Sequence, residues 1–227
     1  AFALWLARVP VRIAPATKIA QIFHNVRIPQ RRSESLKPEY EYNLDLAQHF
    51  ITLLGKHEVR TCQPPYLKID INETEQRKSD YLSKHNLDQL TRLIIIHPGT
   101  GGSATTLSLE QFASLARSIS AEQKCHFIIT AGPNETEIAN SLGAMMNDLS
   151  HTVHVSHDGL VAFTHFIPLA NLFISGSTGP LHIAGALKVN TAAFYPTRRS
   201  ATSLRWQTLN DEGHRLAFNA ERLAELG

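Results

Sequence analysis

The chain is poor in the residues that build several familiar kinds of site. Only two cysteines, Cys62 and Cys125, occur in 227 residues, far apart, so neither a disulfide framework nor a cysteine-rich zinc site can be assembled. That scarcity suits a reducing compartment, and a cytoplasmic location is expected. Charge of one sign is not in excess either. The 22 basic and 20 acidic residues are interspersed, without the basic stripe that neutralises a phosphate backbone, so nucleic acid is not an expected partner. No apolar run approaches the roughly 20 residues of a membrane-spanning helix. Any membrane contact is therefore expected to be peripheral, at the inner face of the inner membrane. The Gly-Lys-Ser/Thr of a Walker loop is missing, and so is Asp-x-Asp. Neither a divalent cation nor another cofactor is implied.

What is present is ordinary globular material, 43% hydrophobic and 19% charged, enough to bury a sizeable core. The opening AFALWLA followed by IAPA superficially resembles a secretory leader. Arg8 and Arg12 interrupt it, and no charged region precedes it. With no initiating Met and an immediate apolar segment, the chain is expected to begin inside a larger protein.

Residues 2–8 read as a helix, Val11 to Ala14 as a strand and Lys18 to His24 as a short helix. The polar RIPQRRSESLKPEYEY reads as a loop, and Tyr42 to Leu54 carries apolar residues at helical spacing. Residues 1–60 thus look like the end of an α/β domain, and 61–90 like a linker with a lead-in helix capped by Asn72 and running to about His85. From Leu93 the pattern alternates: strand LIIIH, helix 108–121, strand HFIIT, helix 134–147, strand TVHVS, helix 159–170, strand LFIS, helix 179–187, strand TAAFY. Continuous apolar strands between helices predict a Rossmann-like α/β parallel sheet, covered on both faces, over residues 91–227. Ser108 and Gln111 make a capping-box pattern, and Cys125 reads as a small buried hydrophobe. In such sheets ligands bind beyond the carboxyl ends of the strands, which directs attention to the loops after His97, Thr130, Ser156 and Ser175.

Gly99-Thr100-Gly101-Gly102-Ser103-Ala104 fits the dinucleotide fingerprint in letters. The helix that should begin inside those glycines is delayed by Thr105-Thr106 to Ser108, and Thr130-Ala131 stands where an acidic residue should close the next strand. A nicotinamide cofactor is not expected. What remains is a hydroxyl-bearing Gly-rich loop, with Thr100, Ser103 and Thr105, and a second Gly/Thr turn at Thr178-Gly179-Pro180. There Thr178 is a candidate N-cap, and Pro180 is tolerated in the first helical turn. Two such turns at carboxyl ends of strands suit a diphosphate. The histidines at 151, 154 and 157 do not read as a zinc site, because in a strand 154 and 157 point to opposite faces.

HPGTGGSATTLSLEQFASLA resembles the family 9 glycosyltransferase pattern of strand, Pro-Gly, Gly/Ser-rich loop and helix with Glu-x-Phe. STGPLHIAGALKVNTAAFYP resembles its Asp-Thr-Gly-x-x-His-Leu-Ala signature, and AFALWLARVPVRIAPA resembles the end of its N-terminal domain. The family includes the lipopolysaccharide heptosyltransferases. The resemblance implies the C-terminal domain of a GT-B fold plus a remnant of the N-terminal acceptor domain. It implies an inverting, metal-independent transfer of a heptose-like sugar from a nucleotide-diphosphate donor, ADP-heptose favoured, to a lipid-linked glycan. By resemblance, Thr100, Gly101, Gly102, Ser103 and Thr105 contact the donor phosphates, and Ser177, Thr178, Gly179 and His182 face the diphosphate or sugar. Glu135 contacts the nucleoside, and Arg198, Arg199 and Arg205 are candidates to reach phosphate or acceptor. The general base is expected outside this chain. The sequence departs from the family where Ser177 replaces the signature Asp and Thr105 a frequent Lys. A GT-B-fold epimerase and a non-catalytic nucleotide-sugar-binding module therefore remain as alternatives.

Overall fold

The computed structural model describes residues 1–56, 66–102 and 106–219, which leaves Cys62, Ser103, Ala104 and Thr105 outside the described residues. The chain forms two units, Ala1–Cys62 with Arg198–Trp206, and Gln63–Thr197 with Gln207–Gly227.

In the first unit, helix α1 (Phe2–Leu6) and strand β1 (Ile13–Pro15) are followed by a 3-10 turn at Ile19–Phe23, strand β2 (Val26–Ile28) and helix α2 (Glu39–Leu53). The two strands pair in parallel, Ile13 opposite Val26. Strand β2 thus begins just before the segment expected to be a loop and enters it. Three residues are too few for an alternation to show, and it is the pairing with β1 that makes them a strand. Helix α2 starts at Glu39, earlier than expected.

The segment Arg198–Trp206, which the sequence alone groups with everything from residue 91, belongs to this first unit. Its backbone accepts hydrogen bonds from Glu39 N (2.7 Å, to Arg205 O) and Ser35 Oγ (2.5 Å, to Arg199 O). Arg205 donates from Nε to Glu39 Oε2 at 2.8 Å and from Nη1 to Ser200 O at 2.9 Å, while Arg32 pairs with the other Glu39 oxygen. Arg205 is therefore engaged by a carboxylate here. Arg198 and Arg199 are exposed.

The second unit opens with helix α3 (Ile71–Lys84). Asp70, not Asn72, caps it: its Oδ1 accepts from Asn72 N at 2.8 Å and Glu73 N at 3.2 Å. An Asp satisfies the orphan N–H groups and also places negative charge at the positive end of the helix. Then come β3 (Arg92–His97), α4 (Leu109–Glu122), β4 (Cys125–Ala131), α5 (Thr136–Met145), β5 (His151–Val155) and α6 (Gly159–Phe166), continued by a 3-10 turn to Leu169. β6 (Leu172–Gly176), α7 (Gly179–Ala186), β7 (Asn190–Phe194) and β8 (Arg215–Phe218) complete it. The Ser108/Gln111 capping box is formed, with Gln111 N donating to Ser108 Oγ at 3.2 Å and Ser108 N to Gln111 Oε1 at 2.9 Å.

All six strands are parallel, in the order β5-β4-β3-β6-β7-β8. The chain builds outward from β3 through β4 to β5, returns to β6 on the other side of β3, and builds outward again. β8 went unread in the sequence because it has only four residues and opens on Arg215. Alternation across the pleat sends Ile94, Ile96, Phe127 and Ile129 to a core with Phe112, Ala116, Leu142 and Met146 of α4 and α5. Each such side chain, fully buried, contributes about 1.5–3 kcal/mol. Leu93, Ile95, His97, Ile128 and Thr130 alternate onto the other face, where His97 meets Phe163 of α6. Cys125 is buried within the α4/α5 core, and burial raises its thiol pKa.

Beyond β7, a buried polar network anchors the last strand. Asn210 Nδ2 shares its two hydrogens among Val189 O (3.1 Å), Thr191 Oγ1 (3.1 Å) and His214 O (2.6 Å), and Thr208 Oγ1 donates to Asn210 Oδ1 at 2.5 Å. Gly185 of α7 packs against it so closely that a Cβ there would lie 2.6 Å from Thr208 Cβ.

Candidate functional site

Where the strand order reverses, between β3 and β6, the loops that leave the two carboxyl ends run apart and open a crevice. A cleft of about 370 Å3 lies there. Three turns line it: Gly99-Thr100-Gly101 after β3, Ala131 to Pro133 with Glu135 after β4, and Thr178-Gly179-Pro180 after β6. His97, Ser156, His157, Gly159, Leu160 and Phe163 supply the remaining wall, and the cleft as a whole is mainly apolar.

The Gly-rich loop is shaped by Glu135. Gly101 and Gly102 have φ of 55° and 75°, a left-handed conformation that costs glycine nothing. Gly101 N donates to Glu135 Oε1 at 2.9 Å, and Gly102 N to Thr100 Oγ1 at 3.2 Å. Glu135 Oε2 accepts from Gly132 N at 3.4 Å. Gly99 has a different role. A Cβ on it would sit 2.2–2.4 Å from the Glu135 carboxylate, so the missing side chain is what lets that carboxylate lie against the loop.

Beneath the carboxylate stands His97, with Nε2 3.8 Å from Glu135 Oε2 and Nδ1 2.9 Å from Thr130 Oγ1. Burial pulls its pKa down, and the nearby carboxylate offsets part of that effect. His97 and Thr130 are the functional candidates that the sequence reading passed over. Their signal was a polar residue interrupting an all-apolar strand just before its carboxyl end.

The turn after β6 is built differently. Thr178 occupies the N-cap position of α7, as expected, but its side chain makes no capping bond. Its Oγ1 is buried with no hydrogen-bond partner at the cleft wall. A Cβ at Gly179 would meet no atom within 4 Å, so the backbone there faces open space. The first N–H groups of a helix have no intrahelical partner, and they carry its positive end. Strands β4 and β6 flank β3, so Glu135 and the start of α7 leave strand ends separated by two spacings, roughly 10 Å.

Of the candidates read from sequence, the structure brings Thr100, Gly101, Thr178, Gly179 and Glu135 to one cleft. Gly102 belongs to the same loop, whereas Ser177 and His182 are not among the lining residues. His182 lies in the first turn of α7, half-buried, and burial lowers its pKa. Ser103 and Thr105 fall outside the described residues. Among the described residues, Glu135 is the single carboxylate on the cleft wall, and no group of histidine, cysteine and carboxylate side chains is placed to hold a metal ion. No helix among them is long and apolar enough to cross a membrane.

Comparison with known proteins bears on family and fold. A Haemophilus influenzae protein named "Putative glycosyltransferase" is 42% identical over 216 residues, 94% of this chain and 62% of the relative. A Campylobacter jejuni protein named lipooligosaccharide heptosyltransferase 2 is 28% identical over 123 residues, 52% of this chain and 38% of the relative. This chain thus spans less than two thirds of the length of either. Among solved structures, a family 9 glycosyl transferase of Veillonella parvula superposes with a TM-score of 0.69 at 17% identity, over 100% of this chain and 61% of the other. The E. coli ADP-heptose lps heptosyltransferase II gives 0.64 at 17% identity, over 96% and 65%. E. coli heptosyltransferase WaaC, solved with ADP, gives 0.54 at 15% identity, over 89% and 55%. These three show a shared fold. The sequence pattern of glycosyltransferase family 9 (heptosyltransferase) matches residues 4–219, and the chain belongs to that family.

Proposed function

We propose that the second unit binds the nucleotide-diphosphate sugar of a glycosyltransferase that extends a lipopolysaccharide or related surface glycan. The observation that carries this is the polarity of one cleft. Glu135 presents a carboxylate after β4, while after β6 the start of α7 presents backbone facing open space beside a buried, unpartnered hydroxyl on Thr178. A carboxylate accepts hydrogen bonds from hydroxyls and repels phosphate, whereas a helix N-terminus attracts phosphate. A ligand with hydroxyls at one end and anionic groups at the other is oriented by that difference. A nucleoside diphosphate has this form, with its ribose towards Glu135, its base against the Pro133 and Leu160 wall, and its diphosphate towards Thr178 and Gly179. One structural neighbour is solved with ADP and relatives are named heptosyltransferases, which supports an ADP-heptose-like donor.

In this reading an acceptor hydroxyl oxygen attacks the anomeric carbon and the bond to the diphosphate oxygen breaks, with inversion. The electron pair leaves with the diphosphate, whose growing charge is met by the Thr178 hydroxyl and the dipole of α7. A base removes the acceptor proton. Glu135 is engaged by Gly101 and Gly132, so we assign the base to a group outside this cleft. A site at the inner face of the cytoplasmic membrane is the matching location.

Calorimetric titration of the chain with ADP and with inorganic pyrophosphate tests the polarity. ADP binds, and Glu135→Gln weakens it by about tenfold, as expected for loss of a charge-assisted bond, while leaving pyrophosphate binding equal or tighter. If Glu135→Gln weakened both ligands alike, or if no nucleoside diphosphate bound, the proposal would fail.

A further inference from the structure

His97 occupies a position that the fold gives it no reason to fill with a polar residue. Leu93 and Ile95 precede it on the same face of β3, and its ring lies 6.1 Å from that of Phe163 and 6.3 Å from that of Phe173, centroid to centroid. It is 6% exposed. An apolar side chain would pack there without desolvating an imidazole, and a buried polar group is a net cost unless it is partnered. Nδ1 has a hydrogen-bond partner and Nε2 a charged neighbour. Nδ1 lies 2.9 Å from Thr130 Oγ1, and Nε2 faces Glu135 Oε2 at 3.8 Å. A carboxylate can only accept, whereas a threonine hydroxyl can donate or accept. The tautomer with its proton on Nε2 turns that proton to the carboxylate and accepts from Thr130 at Nδ1.

At 3.8 Å the His97 and Glu135 contact is too long for a hydrogen bond. It attracts the carboxylate without saturating Oε2, which keeps a lone pair for an incoming hydroxyl. The other oxygen, Oε1, is held by Gly101 N at 2.9 Å. Glu135 is thus a link between the Gly-rich loop and whatever binds Oε2. His97 and the Gly132 amide stand on the Oε2 side of the carboxylate, and Gly99 leaves it the space to lie there.

We propose that His97 is a positioning residue for donor binding: acting through Glu135, it holds one carboxylate oxygen on the Gly101 amide and turns the other to the nucleoside. The inference rests on the donor-site reading given above. It adds that the nucleoside end and the Gly-rich loop are coupled by one carboxylate, so that ligand contact at Oε2 and loop order at Gly101 rise and fall together. Thr130 contributes as the partner of Nδ1.

The test is a double-variant cycle in the full chain, read by ADP titration and by hydrogen exchange of the Gly101 amide. His97→Phe fills the slot without a donor and is expected to weaken ADP by about tenfold and to speed Gly101 exchange; His97→Gln, which restores an N–H, recovers affinity to within about threefold of the parent. In a Glu135→Gln background, His97→Phe adds less than about twofold, because the group it acts through has lost its charge. Additive losses in the double variant, or parental ADP affinity and Gly101 exchange in His97→Phe, would overturn the proposal while leaving the donor site standing. If the parent chain bound no nucleoside diphosphate, the donor-site reading would fall, and this role with it. Should His97→Phe not fold, Thr130→Val removes the Nδ1 partner at nearly constant volume. It is expected to weaken ADP by about threefold and to speed Gly101 exchange. Parental values for both would overturn the proposal.

Discussion

The two glycine-bearing turns that meet at the cleft look alike in sequence and behave oppositely in structure. In the loop after β3, the Gly101 and Gly102 amides are already hydrogen-bonded, to Glu135 and to Thr100. In the turn after β6, the cap position holds a Thr whose hydroxyl is buried and unpartnered. The first turn is internally satisfied and carries a negative charge. The second is unsatisfied and carries the positive end of a helix. A Gly-rich loop is therefore not in itself a phosphate cradle; what matters is whether its amides still have hydrogen bonds to give. Here the turn after β6 answers that description better, and the loop after β3 is better suited to hold Glu135 in place.

The largest expected effect comes from disturbing the seat of α7 while leaving both turns chemically intact. Gly185→Ala places a Cβ 2.6 Å from Thr208 Cβ and 3.1 Å from the Leu209 amide nitrogen, where backbone must move. A loss of about 1–3 kcal/mol is expected, seen as a fall in Tm. An unchanged Tm would mean that α7 and the Asn210 network shift easily, and that the helix start is less fixed than the comparison requires. Gly99→Ala is the complementary change at the other turn. Its Cβ meets only the tip of the flexible Glu135 side chain, so Tm should hold while ADP affinity falls by about tenfold as the carboxylate is pushed off the loop. Thr178→Val removes the orphan hydroxyl at constant shape. ADP and pyrophosphate should both weaken by about fivefold, with stability unchanged or slightly raised because an unpartnered polar atom has left the interior. Equal loss of both ligands at Thr178, against loss of ADP alone at Glu135, is the pattern that keeps the two turns distinct.

The smallest effect serves as a control at the opposite end of the sheet. There His126 is buried, with Nδ1 2.8 Å from Ser150 Oγ and Nε2 within reach of Thr152 and Tyr81. Burial, with His85 and His151 nearby, lowers its pKa to about 4. Between the ordinary histidine value of about 6.5 and that folded value the unfolded chain binds the extra proton, so stability is complete above the window and is lost as pH falls through it. His126→Gln should flatten this part of a Tm-against-pH curve. An equally steep curve in the variant would assign the slope to other groups.

Much of the second unit was legible because its strands are continuous apolar runs, and such runs between amphipathic helices have few other folds open to them. Ser108 and Gln111 announced a helix start through contacts made within four residues. Asp70 was missed in favour of Asn72 because both are good caps and only the chain direction decides between them. Strands β2 and β8 escaped notice because three or four residues carry too little periodicity, and their partners lie elsewhere in the chain. At the site, Thr178, Gly179 and the Gly-rich loop were visible as turn chemistry. The contact that shapes the loop was not, since Glu135 and Gly101 are 34 residues apart and no local pattern joins them.

By itself, then, the sequence determined the α/β class and the family, and it directed attention to the carboxyl ends of the strands. All three follow from local preference, burial pattern and motif, which are properties of neighbouring residues. Only the tertiary structure decided which of two similar turns keeps unsatisfied groups, because hydrogen-bond donors are shared out across the fold. It also placed His97 and Thr130 beneath Glu135, and drew residues 198–206 back to the first unit through Glu39. Those assignments depend on which distant groups come within about 3 Å of one another, and that is settled when the sheet packs.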